Sequence, residues 1–469
     1  MPSDTAAESK VIRAHGLRLG PMNRPRLLCI SPSYAPETTP TAIRAGKLLD
    51  RLSARWRVTV LTERGEPREG EALQVVTVAA RRPRRALGAI RKLRLGKLLE
   101  LLLWPDDSLF WVLPAIRAGR RELREGDYEA VVAFMMPYSA GLVGLALARS
   151  SGLPLVLNLD DSPTCSDMHP SYPSRLHHRL AVWLENLYVR RADAVVYVSA
   201  RNLERVGARQ PPAARARMRL VRYGAEPGEF RPCAQEPGRF EILYVGAMSG
   251  WWALIGESEA SSGRAAALYR AWTRLGRHER LALDERASSP AFIGRAVQQL
   301  LAEHEDWRGR VGVTIWGNPY PEDVIARALA AAGVADVVTV HGPVAHARVA
   351  ELMCAADALF LTLPRRLDGS PGGRISAKTY EYLMTDRPIL AAVSAGENRD
   401  FLADRPGVSV VDPADEQAMA AALAPLVADK LAGRPVAVER SREREELSYD
   451  ARAREFAAAI DAAQDRGRR

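Results

Sequence analysis

Two adjacent aspartates, Asp160 and Asp161, end the apolar run "LPLVLNLDD", and farther along Gly372-Gly373 lead through Arg374, Ile375 and Ser376 to Lys378 and Glu381. A carboxylate at a strand end can take a proton from a hydroxyl. It can equally cap a helix, close a turn or share a metal ion with its neighbour. Adjacent side chains of an extended strand point to opposite faces, so a joint metal site is the weakest of these readings. His169, His177 and His178 follow closely, and a surface or core role is their default. A helix opening just after two glycines offers unpaired N–H groups and the positive end of its dipole, which suits a diphosphate that must come close to backbone. The alternative for Lys378 and Glu381 is an ordinary i,i+3 ion pair worth a few tenths of a kcal/mol.

Composition bounds what can surround these residues. A chain of 469 residues, 47% of them hydrophobic, is long enough for two or three domains with real cores. The net charge of +10 is concentrated in Arg81, Arg82, Arg84, Arg85, Arg91, Lys92, Arg94 and Lys97, and without those eight it falls to +2. A uniformly basic nucleic-acid surface is therefore not expected. Cys29, Cys165, Cys233 and Cys354 lie far apart with no CxxC pair, which reads as a reduced, metal-free protein of the cytoplasm. Residues 1–23 have no apolar signal-peptide core and read as a disordered lead-in. The uncharged stretch Ala130–Ala148 imitates a membrane span, but Pro137-Tyr138-Ser139 divides it into a strand-length and a helix-length piece.

Short apolar runs alternating with longer helical patterns mark βαβ units and parallel sheets. "RLLCISPSY", "RVTVLTE", "AVVAFMM", "LPLVLNL" and "AVVYVS" are strands of a first half; "FEILYVGAM", "VGVTIWG", "VVTVHG", "ALFLTLP", "RPILAAV" and "GVSVVD" are strands of a second. The Pro- and Gly-rich segment Tyr223–Arg239 joins them. The expected fold is α/β with two doubly wound domains across a cleft, a first at 24–228 and a second at 239–432. An insert lies near 249–289, and a helical tail at 433–469 packs back on the first domain. Ligands of such sheets bind beyond the carboxyl ends of the strands.

"ISPSYAPETTPTAIRAGKLLDRLSARWRVTVLTERG", "RADAVVYVSARNLERV", "VRYGAEPGEFRP", "FEILYVGAM" and "SAKTYEYLMTDRPILAAVSAGENRDFL" occur in this order, and together they resemble family 4 glycosyltransferases from about Arg24 to the C-terminus. The resemblance implies the GT-B architecture of two Rossmann-like domains, with a nucleotide-diphosphate sugar on the second, the acceptor mainly on the first, and no metal or other cofactor.

It also implies residue roles. Glu381 matches the glutamate that accepts hydrogen bonds from the nucleotide ribose, with Lys378, Gly372, Gly373, Arg374, Ile375 and Ser376 around the diphosphate. The family's preceding glutamate would fall at position 373, where this chain has Gly373. A second phosphate element should follow Gly246 in "YVGAM"; Arg264 and Arg295 are its candidates, Arg295 because "FIGRAVQQLL" reads as the next family helix, although either can be a solvated helix charge. Trp251-Trp252 in the same region reads as packing, a lid or a partner surface. Asp160, with Asp161 beside it, matches an acid or histidine near sugar and acceptor, where it would take the acceptor proton or stabilise an oxocarbenium-like centre. Thr38, Thr39 and Arg44 belong to the acceptor-side loop and helix.

Segment 81–104 interleaves leucines with its positive charges, a pattern equally suited to an anionic membrane surface and to a core-packed helix with a basic outer face. The reading is a cytoplasmic enzyme, peripheral at the inner membrane face if that surface is used, moving a hexose-type unit to a carbohydrate, lipid-linked or small-molecule hydroxyl, with retention. The alternatives are a GT-B epimerase or hydrolase, and a non-catalytic protein on a degenerate transferase scaffold.

Overall fold

Runs such as AVVAF and LVLNL become strands because they are apolar on both faces, which only a sheet covered on both sides can bury. The computed structural model describes residues 24–434 and 436–467, apart from 84–86, 89, 91, 94 and 249–263. Strands β1 (Arg26–Ile30), β2 (Arg57–Thr62), β3 (Leu73–Thr77), β4 (Tyr128–Phe134), β5 (Leu155–Leu159), β6 (Ala194–Tyr197) and β7 (Met218–Leu220) form one sheet in the order β3-β2-β1-β4-β5-β6-β7. All its neighbours are parallel. A second parallel sheet holds β8 (Phe240–Val245), β9 (Val311–Trp316), β10 (Val338–His341), β11 (Ala358–Thr362), β12 (Ile389–Ala392) and β13 (Val408–Val411), ordered β10-β9-β8-β11-β12-β13. The strand order reverses beside β1 in the first sheet and beside β8 in the second, and there the crevices for ligands open.

Each sheet is sandwiched by helices. On one face of the first, Pro40–Leu52 packs with the distant helix Tyr449–Gly467, whose Phe456 stacks on Phe134 with ring centroids 5.9 Å apart. On the other lie Leu109–Glu125, Ala140–Ser151 and Arg175–Arg191. The uncharged stretch thus divides into β4 and helix Ala140–Ser151 around Pro137. No described helix is long and apolar enough to cross a membrane.

The halves also meet away from the tail. Ser171–Tyr172 of the first pairs antiparallel with His278–Glu279 of the second. Of the basic segment, Arg84, Arg85, Arg91 and Arg94 lie outside the described residues, as does Trp251-Trp252.

Candidate functional site

The carboxyl ends of β5, β8 and β11 converge on a cavity of about 310 Å³ between the halves. Asp167, Met168 and Pro170 line it from the first half; Tyr244, Ala247, Met248, Glu285, Arg374 and Lys378 line it from the second. Gly246, between the lining residues Tyr244 and Ala247, has φ +143, and a Cβ there would sit 2.7 Å from Lys378 Cε and Nζ. Glycine therefore lets the lysine lie across the end of β8, its ammonium 5.2 Å from the Tyr244 ring centroid. Among the described residues neither Arg374 nor Lys378 forms an ion pair. The Arg374 charge acts at longer range on Asp161 and Glu285, opposing the upward push that burial gives both carboxyls. Two positive charges on one cavity wall without carboxylate partners suit a ligand that brings its own negative charge.

Gly372 and Gly373 do something the sequence did not suggest. A Cβ on Gly372 would stand 2.8 Å from Asp167 Oδ2, and one on Gly373 would stand 2.7 Å from Asn202 Oδ1. Both neighbours belong to the first half. The glycines thus allow the loop before helix Ala377–Tyr382 to press against the opposite domain, whereas the helix itself spans only six residues. Beside them Glu397, which is 4% exposed, reaches across the interface. Its carboxylate accepts from Ser199 Oγ (2.6 Å), Ala200 N (2.8 Å), Arg201 N (3.1 Å) and Arg222 Nη1 (2.5 Å). A side chain of the second half therefore caps helix Ala200–Gly207 of the first. Arg366 Nε donates to Asp167 Oδ1 at 2.9 Å, and Arg201 pairs with Asp400 at 2.6 Å, along the same seam.

Residues 41–224 match the family described as glycosyl transferase 4-like domain, and residues 282–429 match glycosyl transferases group 1. The chain is a family 4 glycosyltransferase of the GT-B type. Its fold is similar to that of sucrose-phosphate synthase from Thermosynechococcus elongatus, at 15% identity over 93% of this chain and 98% of that one, with a TM-score of 0.59. Anabaena HepE, solved in complex with UDP and glucose, gives 14% identity, 93% and 99% coverage and a TM-score of 0.54. The UDP-forming α,α-trehalose-phosphate synthase from Burkholderia vietnamiensis gives the same identity, coverage and TM-score. No curated protein matches the chain.

Within this glycosyltransferase the other expected residues fall in three places. Asp160 is 3% exposed and joins Arg44, which is fully buried; Arg44 Nε is 3.3 Å from Asp160 Oδ1, and Asn158 Nδ2 donates to the same oxygen at 2.8 Å. Arg44 also donates to the carbonyls of Val221 and Arg222, both at 2.8 Å. The pair thus ties helix Pro40–Leu52 to the segment leaving the first sheet. Asp161 accepts from Ser166 Oγ, and burial pushes its carboxyl up to about 6. His169 is held by Tyr138 Oη at 2.7 Å, and burial lowers its imidazole to about 4. Thr39 caps helix Pro40–Leu52 by accepting from Ala42 N, and Thr38 borders a separate cavity of about 650 Å³ on the first half.

The donor-side expectations separate likewise. Arg374, Lys378 and Gly246 meet at the cleft. Ile375 packs into the core of the second half, and Ser376, buried, precedes helix Ala377–Tyr382. Glu381 is half-buried on that helix and is not among the residues lining the 310 Å³ cavity. Arg295 is drawn away from it: its Nε donates to Glu416 at 2.6 Å, where helix Pro290–Glu303 packs on Glu416–Leu431. Arg264 opens helix Arg264–Arg274, and its side chain lies outside what is described. Among the described residues no group of three or more His, Cys, Asp or Glu is arranged to hold a metal ion, and all four cysteines are free. Glu397 and the Tyr138–His169 pair escaped sequence reasoning, because their partners lie 198 and 31 residues away.

Proposed function

We propose that this glycosyltransferase moves a hexose-type unit from a nucleotide-diphosphate sugar to a hydroxyl acceptor with retention of configuration. The observation that carries this reading is that Arg374 and Lys378, two cations lining the interdomain cavity near Gly246, form no ion pair among the described residues. Charge that develops on a leaving diphosphate is stabilised there without any proton transfer. Structures of similar fold that hold UDP and glucose support the donor class. Asp161 is the carboxylate proposed for the reacting centre, since the Arg374 charge of the opposite half acts on it and Ser166 Oγ donates to it, whereas Asp160 is held in a buried pair with Arg44.

Calorimetry of nucleoside diphosphates on the wild type, Arg374→Gln and Lys378→Met tests the donor site. Each substitution removes a charge-assisted hydrogen bond of about 1.5–3 kcal/mol, so each should weaken the best nucleotide about 10- to 100-fold. Affinities unchanged in both variants would sink the assignment.

A second reading, nucleotide binding without turnover, is favoured by one feature. The family's sugar-side glutamate is replaced by Gly373, whose Cβ position is filled by Asn202. Nucleotide binding with no consumption of any nucleotide sugar would support it.

The membrane proposal rests on Leu93, Leu98 and Leu102, which are exposed beside exposed Arg81 and Lys92. Arg82, paired with Glu63, and Lys97, which donates to Trp272 O at 2.7 Å, are engaged internally. At about 1 kcal/mol per basic residue near the headgroups, Arg81 and Lys92 would together add about 2 kcal/mol of attraction to anionic lipid.

A further inference from the structure

The first half holds a second cavity, of about 390 Å³, that the donor reading does not use. It lies beyond the carboxyl end of β4, under helix Arg175–Arg191 and the segment following helix Gly96–Leu102. Its walls are mostly apolar, with Trp104, Met136, Pro137, Tyr172, Leu184 and Tyr188 among the lining residues.

The polar groups at its edge are already satisfied by the protein. Asp106 accepts from Ser139 Oγ at 2.6 Å and from the Ser139 and Ser108 amides at 2.9 and 3.1 Å. Glu185 accepts from Ser162 Oγ at 2.7 Å and pairs with Arg209 at 2.6 Å. Tyr188 Oη donates to Tyr138 O at 2.8 Å, and Tyr172 Oη donates to Pro163 O. Such a space gives water few partners and favours an apolar occupant, and its volume lies in the range of small-molecule sites.

One stretch of chain walls both cavities. Asp167, Met168 and Pro170 face the donor cavity, while His169 and Ser171 face the apolar one. The Tyr138 hydroxyl, bonded to His169 Nε2, also lies 3.2 Å from Asp161 O. We infer that the apolar cavity seats the ring system of the acceptor, an aromatic or fused-ring alcohol or phenol, with its hydroxyl directed at the His169–Tyr138 wall. The inference deepens the transferase reading and rests on it.

The test uses the full chain and 2-naphthol as the probe, with the best nucleoside diphosphate titrated on the same samples. Calorimetry should give saturable 2-naphthol binding to the wild type. Ala181→Trp, which fills the cavity from helix Arg175–Arg191, should weaken that binding at least tenfold while nucleotide affinity stays within twofold. If Ala181→Trp unfolds, Ala181→Leu should still weaken 2-naphthol severalfold. No saturable binding, or equal binding by wild type and a folded cavity-filling variant, overturns the inference. 1-Octanol competing as well as 2-naphthol overturns the ring assignment. A wild type that binds 2-naphthol but no nucleotide overturns the transferase reading and, with it, the acceptor role.

Discussion

Replacing Glu397 by Gln should loosen the two halves of the enzyme. The carboxylate accepts four hydrogen bonds from the opposite domain, from Ser199 Oγ, the Ala200 and Arg201 amides and the Arg222 guanidinium. Glutamine keeps the size but has one acceptor oxygen, and its NH₂ group would face donors. At least two charge-assisted bonds are then lost, at about 1.5–3 kcal/mol each in isolation. Part is recovered because Arg222, half-buried, can turn to solvent. A net loss of about 3 kcal/mol is expected, a change of roughly 10²-fold in the equilibrium between closed and open domains. Small-angle scattering should report a larger radius of gyration for Glu397→Gln, and denaturant unfolding should separate into two steps as coupling between domains weakens. Ser199→Ala removes one of the four bonds and should give a smaller effect in the same direction. A scattering profile and an unfolding curve both identical to wild type would refute the reasoning.

Four further outcomes follow from the same geometry. Burial raises the Asp161 carboxyl from 3.8 to about 6, so the folded state holds a proton that the unfolded state has released; stability should fall by roughly 3 kcal/mol as pH rises from about 4 through 6, and Asp161→Asn should flatten that slope in urea melts. His169 has the opposite sign, since lowering its imidazole from 6.5 to about 4 costs stability as pH falls across that window, and His169→Gln should remove the loss. Asp160→Asn leaves Arg44 buried beside a neutral partner and should destabilise by about 3–5 kcal/mol in chemical denaturation; an effect under 1 kcal/mol would show that the pair does not tie the helix to the linker. Gly373→Glu restores the family's glutamate but drives a side chain into Asn202, so it should lower the melting temperature rather than raise turnover.

The two-sheet plan was legible because strands buried on both faces must be written as unbroken apolar runs, and AVVAF, LVLNL and ALFLT are such runs whatever surrounds them. The family pattern likewise survives in local order, which is why the segments that carry Lys378 and Gly246 could be read from the sequence, whereas their meeting at the end of β8 is set by packing. What local order does not contain is distance. Arg295 sits in a correctly read helix, yet the contact of that helix with Glu416–Leu431 turns its guanidinium to Glu416. Gly372-Gly373 looked like a phosphate loop because glycine permits any close approach, and only tertiary packing revealed that the approaching groups are Asp167 and Asn202. Asp160 and Asp161 are neighbours in sequence, but the end of β5 and the loop that follows send one into a buried pair with Arg44 and the other to the Ser166 hydroxyl. Residue type and spacing determine which secondary structures can form and bury their apolar faces; whether a given charge meets a ligand, a partner or solvent is decided by contacts between segments hundreds of residues apart, whose free energies have no local signature.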